Sequence, residues 1–128
     1  MTRRRATTTL VLVAAGGFGG AVSRYAVSTV MPGLGGTLLV NVTGSLLLGA
    51  LLHQFITTHH LTPRTRLVAA TGFLSSYTTY STFAVQTATA ASPLLVAGNI
   101  VGTYALGFGA AAAGRHLADR LRRPRWLD

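Results

Sequence analysis

Leu74-Ser75-Ser76-Tyr77-Thr78-Thr79-Tyr80-Ser81-Thr82-Phe83 interrupts an otherwise apolar segment, and every residue from Ser75 to Thr82 carries a hydroxyl. Such side chains hydrogen-bond to nearby backbone groups and so compete with the helical ladder. The run therefore predicts a broken helix rather than a continuous one. Inside a bilayer, non-helical backbone survives only where protein buries it or where it lines a water-filled path. A break at membrane depth is accordingly a candidate pore or binding site.

Membrane depth follows from the rest of the chain. Of its 128 residues, 49% are hydrophobic and 10% charged. Four apolar stretches, 8–30, 37–57, 67–90 and 94–114, contain no Asp, Glu or Lys. Each approaches the ~20 residues that cross a ~30 Å hydrocarbon core as a helix. The first is too long for a signal-peptide core, and its Gly17-Phe18-Gly19-Gly20 and Arg24-Tyr25 do not read as a cleavage site. The expectation is one all-α, polytopic membrane domain over 1–128, with four transmembrane helices, short connections and a basic tail at 115–128.

Charge sets the expected orientation. Four spans place the N-terminus, the middle loop and the C-terminus on one side. That side holds Arg3, Arg4, Arg5, Arg64, Arg66, Arg115, Arg120, Arg122, Arg123 and Arg125, leaving only Arg24 at the other. Positive charge stays inside, so both termini are expected in the cytoplasm of a chain in the cell membrane. The net charge of +9 fits the anionic inner leaflet rather than nucleic acid, since the arginines flank apolar spans. There is no cysteine, which excludes disulfides and thiolate metal sites.

The polar residues inside the spans narrow the chemistry. There is no Glu, and the two Asp, Asp119 and Asp128, lie in the tail. A small proton-coupled multidrug-type exporter needs an embedded carboxylate, so that class is disfavoured, and the interior suits an anion or a neutral solute. No serine has a base at a readable spacing, so an enzyme is not expected. Thr37, Asn41 and Ser45 recur every four residues and form one polar stripe on the second helix. The Asn41 amide is suited either to replacing water around an anion or to bonding a neighbouring helix. Arg24 either snorkels to the interface or draws anions to a vestibule. Tyr80 and Phe83 are neighbours on a resuming helix, where plain packing competes with presenting positive ring edges to an anion. Tyr104 and Asn99 in the fourth span face the same choice. His53, His59 and His60 read as interfacial rather than metal-binding, because matched carboxylate or further histidine partners are lacking. Gly16-xxx-Gly20 and Gly98-xxx-Gly102 suit close helix contacts, within the chain or between chains.

Together these pieces resemble the Fluc/CrcB family of small fluoride channels. The likeness is carried by Gly16-Gly17-Phe18-Gly19-Gly20-Ala21-Val22-Ser23-Arg24-Tyr25 and by Gly36-Thr37-Leu38-Leu39-Val40-Asn41 with Gly44. It continues in Thr78-Thr79-Tyr80-Ser81-Thr82-Phe83 and in Asn99, Gly102 and Tyr104. The resemblance implies passive, fluoride-selective export through an antiparallel, dual-topology-type dimer, in which the third helix breaks at mid-membrane. It implies a structural Na⁺ at the dimer centre, held by the backbone carbonyls of Ser75 and Thr78. It also implies a fluoride path lined by Thr37, Asn41, Tyr80, Ser81, Thr82, Phe83 and Tyr104, with Arg24 in the vestibule. Departures from the family pattern are Ser75-Ser76 for Gly-Gly, Tyr80 for the first Phe, Gln86 for an acid, and Phe108 for a hydroxyl. A non-conducting subunit whose pore residues have drifted is the alternative those departures raise.

A homodimer of antiparallel copies needs a chain that inserts both ways up, and the arginine bias opposes that. The expectation is one orientation and an oppositely oriented homologue of reversed bias as partner. Reporters fused to the C-terminus should read from the cytoplasm alone; similar signal from both compartments refutes a single orientation.

Overall fold

The computed structural model describes residues 3–57 and 62–121. His59, His60, Arg122, Arg123, Arg125 and Asp128 lie outside the described residues, as do the side chains of Arg3, Arg4 and Arg5. The architecture is all-helical. Helix α1 spans Arg3–Val30, α2 spans Leu34–Thr57 and α5 spans Pro93–Arg120. Each is long and apolar enough to cross a membrane. The third span is built in pieces. Its first half, α3 (63–77), runs through Pro63–Arg66, a π-helical stretch Leu67–Leu74 and a last turn Ser75–Tyr77; its second half is α4, Tyr80–Ala88.

Local chemistry accounts for the boundaries. Pro32 disfavours helical backbone at Met31, and Gly33 takes a positive φ of 80°, so α1 turns into α2 within three residues. Thr62 and Ser92 cap α3 and α5, accepting the amides of Thr65 and Leu95, and each is followed by proline at the first helical position. Helix α5 does not stop at Gly114 as the hydropathy suggests but continues to Arg120. Leu117, Ala118 and Arg120 are sound helix formers, and Arg120 in the last turn faces the negative end of the helix dipole.

Packing divides the bundle into two pairs, α1 with α3 and α2 with α5. Both pairs rest on glycine. A Cβ at Gly16 would strike the Val68 carbonyl, one at Gly20 the Phe73 carbonyl, and one at Gly72 would sit 2.8 Å from the Val13 carbonyl. In the second pair, Gly49 meets the Ala111 carbonyl and Gly114 the Leu46 carbonyl. Gly16-xxx-Gly20 is thus an intrachain seam. Gly98 and Gly102 have nothing within 4 Å, so the second small-residue motif faces outward from this chain. Few side chains are buried, Val40, Leu74 and Phe83 among them, and long apolar residues from Leu10 to Phe108 lie exposed. That distribution suits a protein whose outer solvent is lipid.

Gly20→Ala forces backbone carbonyl and methyl into one space, so the α1–α3 seam must open. Thermal unfolding in detergent should show a loss of about 1–3 kcal/mol.

Candidate functional site

The third span breaks at two residues. Thr78 (φ −76°, ψ 159°) and Thr79 (φ −147°, ψ 119°) are extended. Both φ values are ordinary for L-residues, so the break forms without glycine, and Ser75-Ser76 is compatible with it. Ser75 is itself helical, at φ −66° and ψ −26°, and its hydroxyl donates back to the Ala70 carbonyl at 3.2 Å and to that of Thr71.

Breaking a helix in an apolar medium releases backbone groups that need partners. Asn41 meets two of them. Its Nδ2 donates to the Thr79 carbonyl at 3.0 Å, and its Oδ1 accepts the Thr79 amide at 2.8 Å. Thr79 is 7% exposed, so water does not substitute for this pair. The Thr79 hydroxyl caps α4 by accepting the Thr82 amide at 3.2 Å, and donates to Thr82 Oγ1 at 3.0 Å. In a continuous helix the Thr79 and Thr82 amides would bond the carbonyls of Ser75 and Thr78. Here both amides are committed elsewhere, so these two carbonyls are released from helical pairing. Thr43 and Gly44 brace the same turn: Thr43 Oγ1 lies 2.9 Å from the Tyr77 hydroxyl, and Gly44 accommodates the Thr78 methyl.

The site residues named from sequence fall into two groups. Arg24, half-buried on α1, lines a pocket of about 250 Å³ with Thr37 on α2 and Thr82 at the start of α4. The aromatic residues form a second group. Tyr80 and Phe83 have ring centroids 5.8 Å apart, Phe83 meets Tyr104 edge-on at 6.0 Å, and Tyr104 stacks on Phe108 at 6.3 Å. Phe83 is buried at 6% exposure, whereas Tyr80 is 73% exposed and Ser81 is also exposed. Asn41 stands between two open grooves. One, of about 410 Å³, borders Ser75, Thr78 and Tyr80; the other, of about 340 Å³, borders Tyr104 and Phe108.

Asn99 takes the interhelical role: its Nδ2 donates to Thr87 Oγ1 at 2.7 Å, and that hydroxyl donates to the Phe83 carbonyl at 2.7 Å, fixing the height of the buried ring. His53 Nε2 lies 3.6 Å from Asp119 Oδ1, between α2 and α5 and away from the break. Thr79 is the residue that sequence reasoning passed over. Its signal was present, because a threonine three before Thr82 at a helix start is an N-cap pattern. Its pairing with Asn41, 38 residues away, was not legible.

A multi-pass membrane protein emerges, whose broken third span is hydroxyl-rich and shares a pocket with one arginine, Arg24 of α1, and no carboxylate. Residues 11–115 match the family described as CrcB-like protein, Camphor Resistance (CrcB). The chain belongs to this family. It is 50% identical over 109 residues to the fluoride-specific ion channel FluC 1 of Haloarcula marismortui, covering 85% of this chain and 84% of the relative. It is 51% identical over 110 residues to FluC 1 of Natronomonas pharaonis, covering 84% and 92%. Against FluC 2 of Halobacterium salinarum it is 48% identical over 115 residues, covering 89% of each.

Asn41→Ala removes both partners of the Thr79 backbone. The expected loss is about 2–4 kcal/mol of stability, read by thermal unfolding in detergent, from two buried groups left unpaired. An unchanged unfolding temperature would show that Thr79 is held by something else.

Proposed function

We propose that this chain is a subunit of a fluoride-selective channel through which fluoride leaves the cytoplasm passively. The observation that carries the reading is the track of donors with no carboxylate beside it: Arg24, Thr37 and Thr82 in one pocket, and the Asn41 amide below them. Asn41 spends one amide hydrogen on Thr79 and, among the described residues, keeps the second. Thr82 accepts from Thr79 and keeps its own proton. Fluoride gives up water only where matched donors replace it, and a narrow lining of single donors and aromatic edges admits it ahead of chloride. Arg24 raises the local anion concentration at the outer mouth. No energy input is required, because HF entering the cell ionises and is trapped as the anion. No bond is made or broken, so the protein is not an enzyme. The same lack of a membrane carboxylate disfavours the exporter alternative.

The subunit works with an antiparallel partner. Ser75, Tyr80, Ser81 and Thr82 are exposed on one chain, beside non-helical backbone. At membrane depth they need protein cover, and a second copy or homologue of opposite orientation brings its own break against this one. The released carbonyls of Ser75 and Thr78 fit a hard cation, for which oxygen is the right ligand, so two copies would supply a Na⁺ site at the dimer centre. Bound there, Na⁺ supplies positive charge that offsets the converging carbonyl dipoles at the helix end. The arginine bias places both termini in the cytoplasm and favours a homologous partner of reversed bias over a second identical copy.

Fluoride efflux from liposomes, followed with a fluoride electrode beside a chloride control, tests the reading. Fast efflux of fluoride and not chloride is expected, from this chain alone or with its oppositely oriented homologue. Equal rates for both anions, or none in either preparation, overturn it.

A further inference from the structure

We propose that Ser45 is a further anion-contacting residue, the hydroxyl that receives fluoride on the cytoplasmic side of the Asn41 amide; this rests on the channel reading above. Ser45 follows Asn41 by one turn of α2, about 6 Å further along the helix axis. It is half-buried, and it lines both the groove beside the break and the groove beside Tyr104. Among the described residues no other hydroxyl-bearing side chain lines both.

The state of its hydroxyl fits that role. Serine and threonine inside an apolar helix ordinarily satisfy their proton on the carbonyl one turn back. Ser23 does so to Gly19 at 2.9 Å, Thr43 to Leu39 at 2.7 Å and Thr87 to Phe83 at 2.7 Å. Ser45 has the Asn41 carbonyl at the same offset, yet among the described residues its hydroxyl takes no hydrogen-bond partner. A donor held uncommitted against a groove suits a ligand that accepts.

The opposite wall keeps that donor accessible. Gly107 of α5 faces Ser45, and a Cβ placed there would lie 3.6 Å from Ser45 Oγ. The missing side chain leaves the space beside the hydroxyl open. Phe108, next along α5, offers no hydroxyl of its own, and the hydroxyls that α5 does bring to this groove, those of Thr103 and Tyr104, lie one turn earlier. Leu48, one turn past Ser45 on the same groove, is apolar, and the next position of the stripe is Gly49, so the run of polar residues ends at Ser45. Thr37, Asn41 and Ser45 then form one column of donors from the outer pocket to the inner groove, with Ser45 last.

The test compares Ser45→Ala and Ser45→Thr with the unsubstituted chain, in whichever liposome preparation shows fluoride-selective efflux. Both substitutions suit a helix, and gel filtration checks that assembly is unchanged. Ser45→Ala should slow fluoride efflux about tenfold, the effect of one lost donor to an anion. Ser45→Thr, which keeps the hydroxyl, should retain most of the rate. Efflux from Ser45→Ala within about twofold of the unsubstituted chain overturns the assignment and leaves the channel reading intact. So does equal damage in both variants, which would mark packing rather than the hydroxyl. If the unsubstituted chain shows no fluoride-selective efflux in either preparation, alone or with its oppositely oriented homologue, the channel reading falls and the Ser45 role falls with it.

Discussion

The paired hydrogen bonds between the Asn41 amide and the Thr79 backbone are the constraint on which the rest of this structure depends. A helix interrupted in hydrocarbon exposes amides and carbonyls that lipid cannot solvate, and each orphan costs free energy on the scale of a lost hydrogen bond. Asn41 resolves the problem for Thr79 with one side chain that offers a donor and an acceptor in the same plane, at 3.0 and 2.8 Å. Thr79 then repeats the device on a smaller scale by capping α4 with its hydroxyl. Because both amides are diverted to side chains, the carbonyls of Ser75 and Thr78 are released, and the start of α4 is set beside Arg24 and Thr37. One asparagine thereby determines where the polar groups of the third span point.

The helix pairs supply the rigidity this arrangement needs. Glycines at positions 16, 20 and 72 bring α1 onto α3, and those at 49 and 114 bring α2 onto α5, with backbone against backbone. Lipid tails are as apolar as the side chains, so burial of apolar surface cannot drive such pairing; close packing and interhelical hydrogen bonds do. The π-helical stretch Leu67–Leu74 sits in the α1–α3 seam, one turn before the break. Its extra residue per turn changes the face presented by the chain that follows, and stretches of this kind recur at functional sites. Fixed seams on both sides leave α2 as the shared wall of two grooves, with Asn41 and Ser45 on its crest.

Aromatic packing completes the site. The contacts run from Tyr80 through Phe83 and Tyr104 to Phe108, joining α4 to α5. Phe83 is the buried member, and the Asn99–Thr87 bond holds its backbone in place. Tyr80 remains at the outside of the single chain, adjoining the groove at the break and a second groove of about 560 Å³ beside Phe83. Its hydroxyl, a departure from the family pattern, belongs to a side chain left exposed on this chain.

Much of this protein was legible in the amino-acid order, because bilayer thickness and helical rise translate directly into the length of an apolar run. The membrane class, the four spans, the arginine bias and the position of the break all follow from residue types along the chain. So does the stripe of Thr37, Asn41 and Ser45, since helical periodicity is a local property. Tertiary structure decided what those residues do. Whether Asn41 bonds a neighbouring helix or faces a ligand depends on Thr79, 38 residues away, and the structure commits one of its amide hydrogens to that residue while sparing the other. The roles of the two small-residue motifs were equally undetermined until the partner of each face was known: Gly16 and Gly20 meet α3, whereas Gly98 and Gly102 meet nothing within the chain. Local sequence specifies which groups require partners, and only the packed bundle specifies which partners they find.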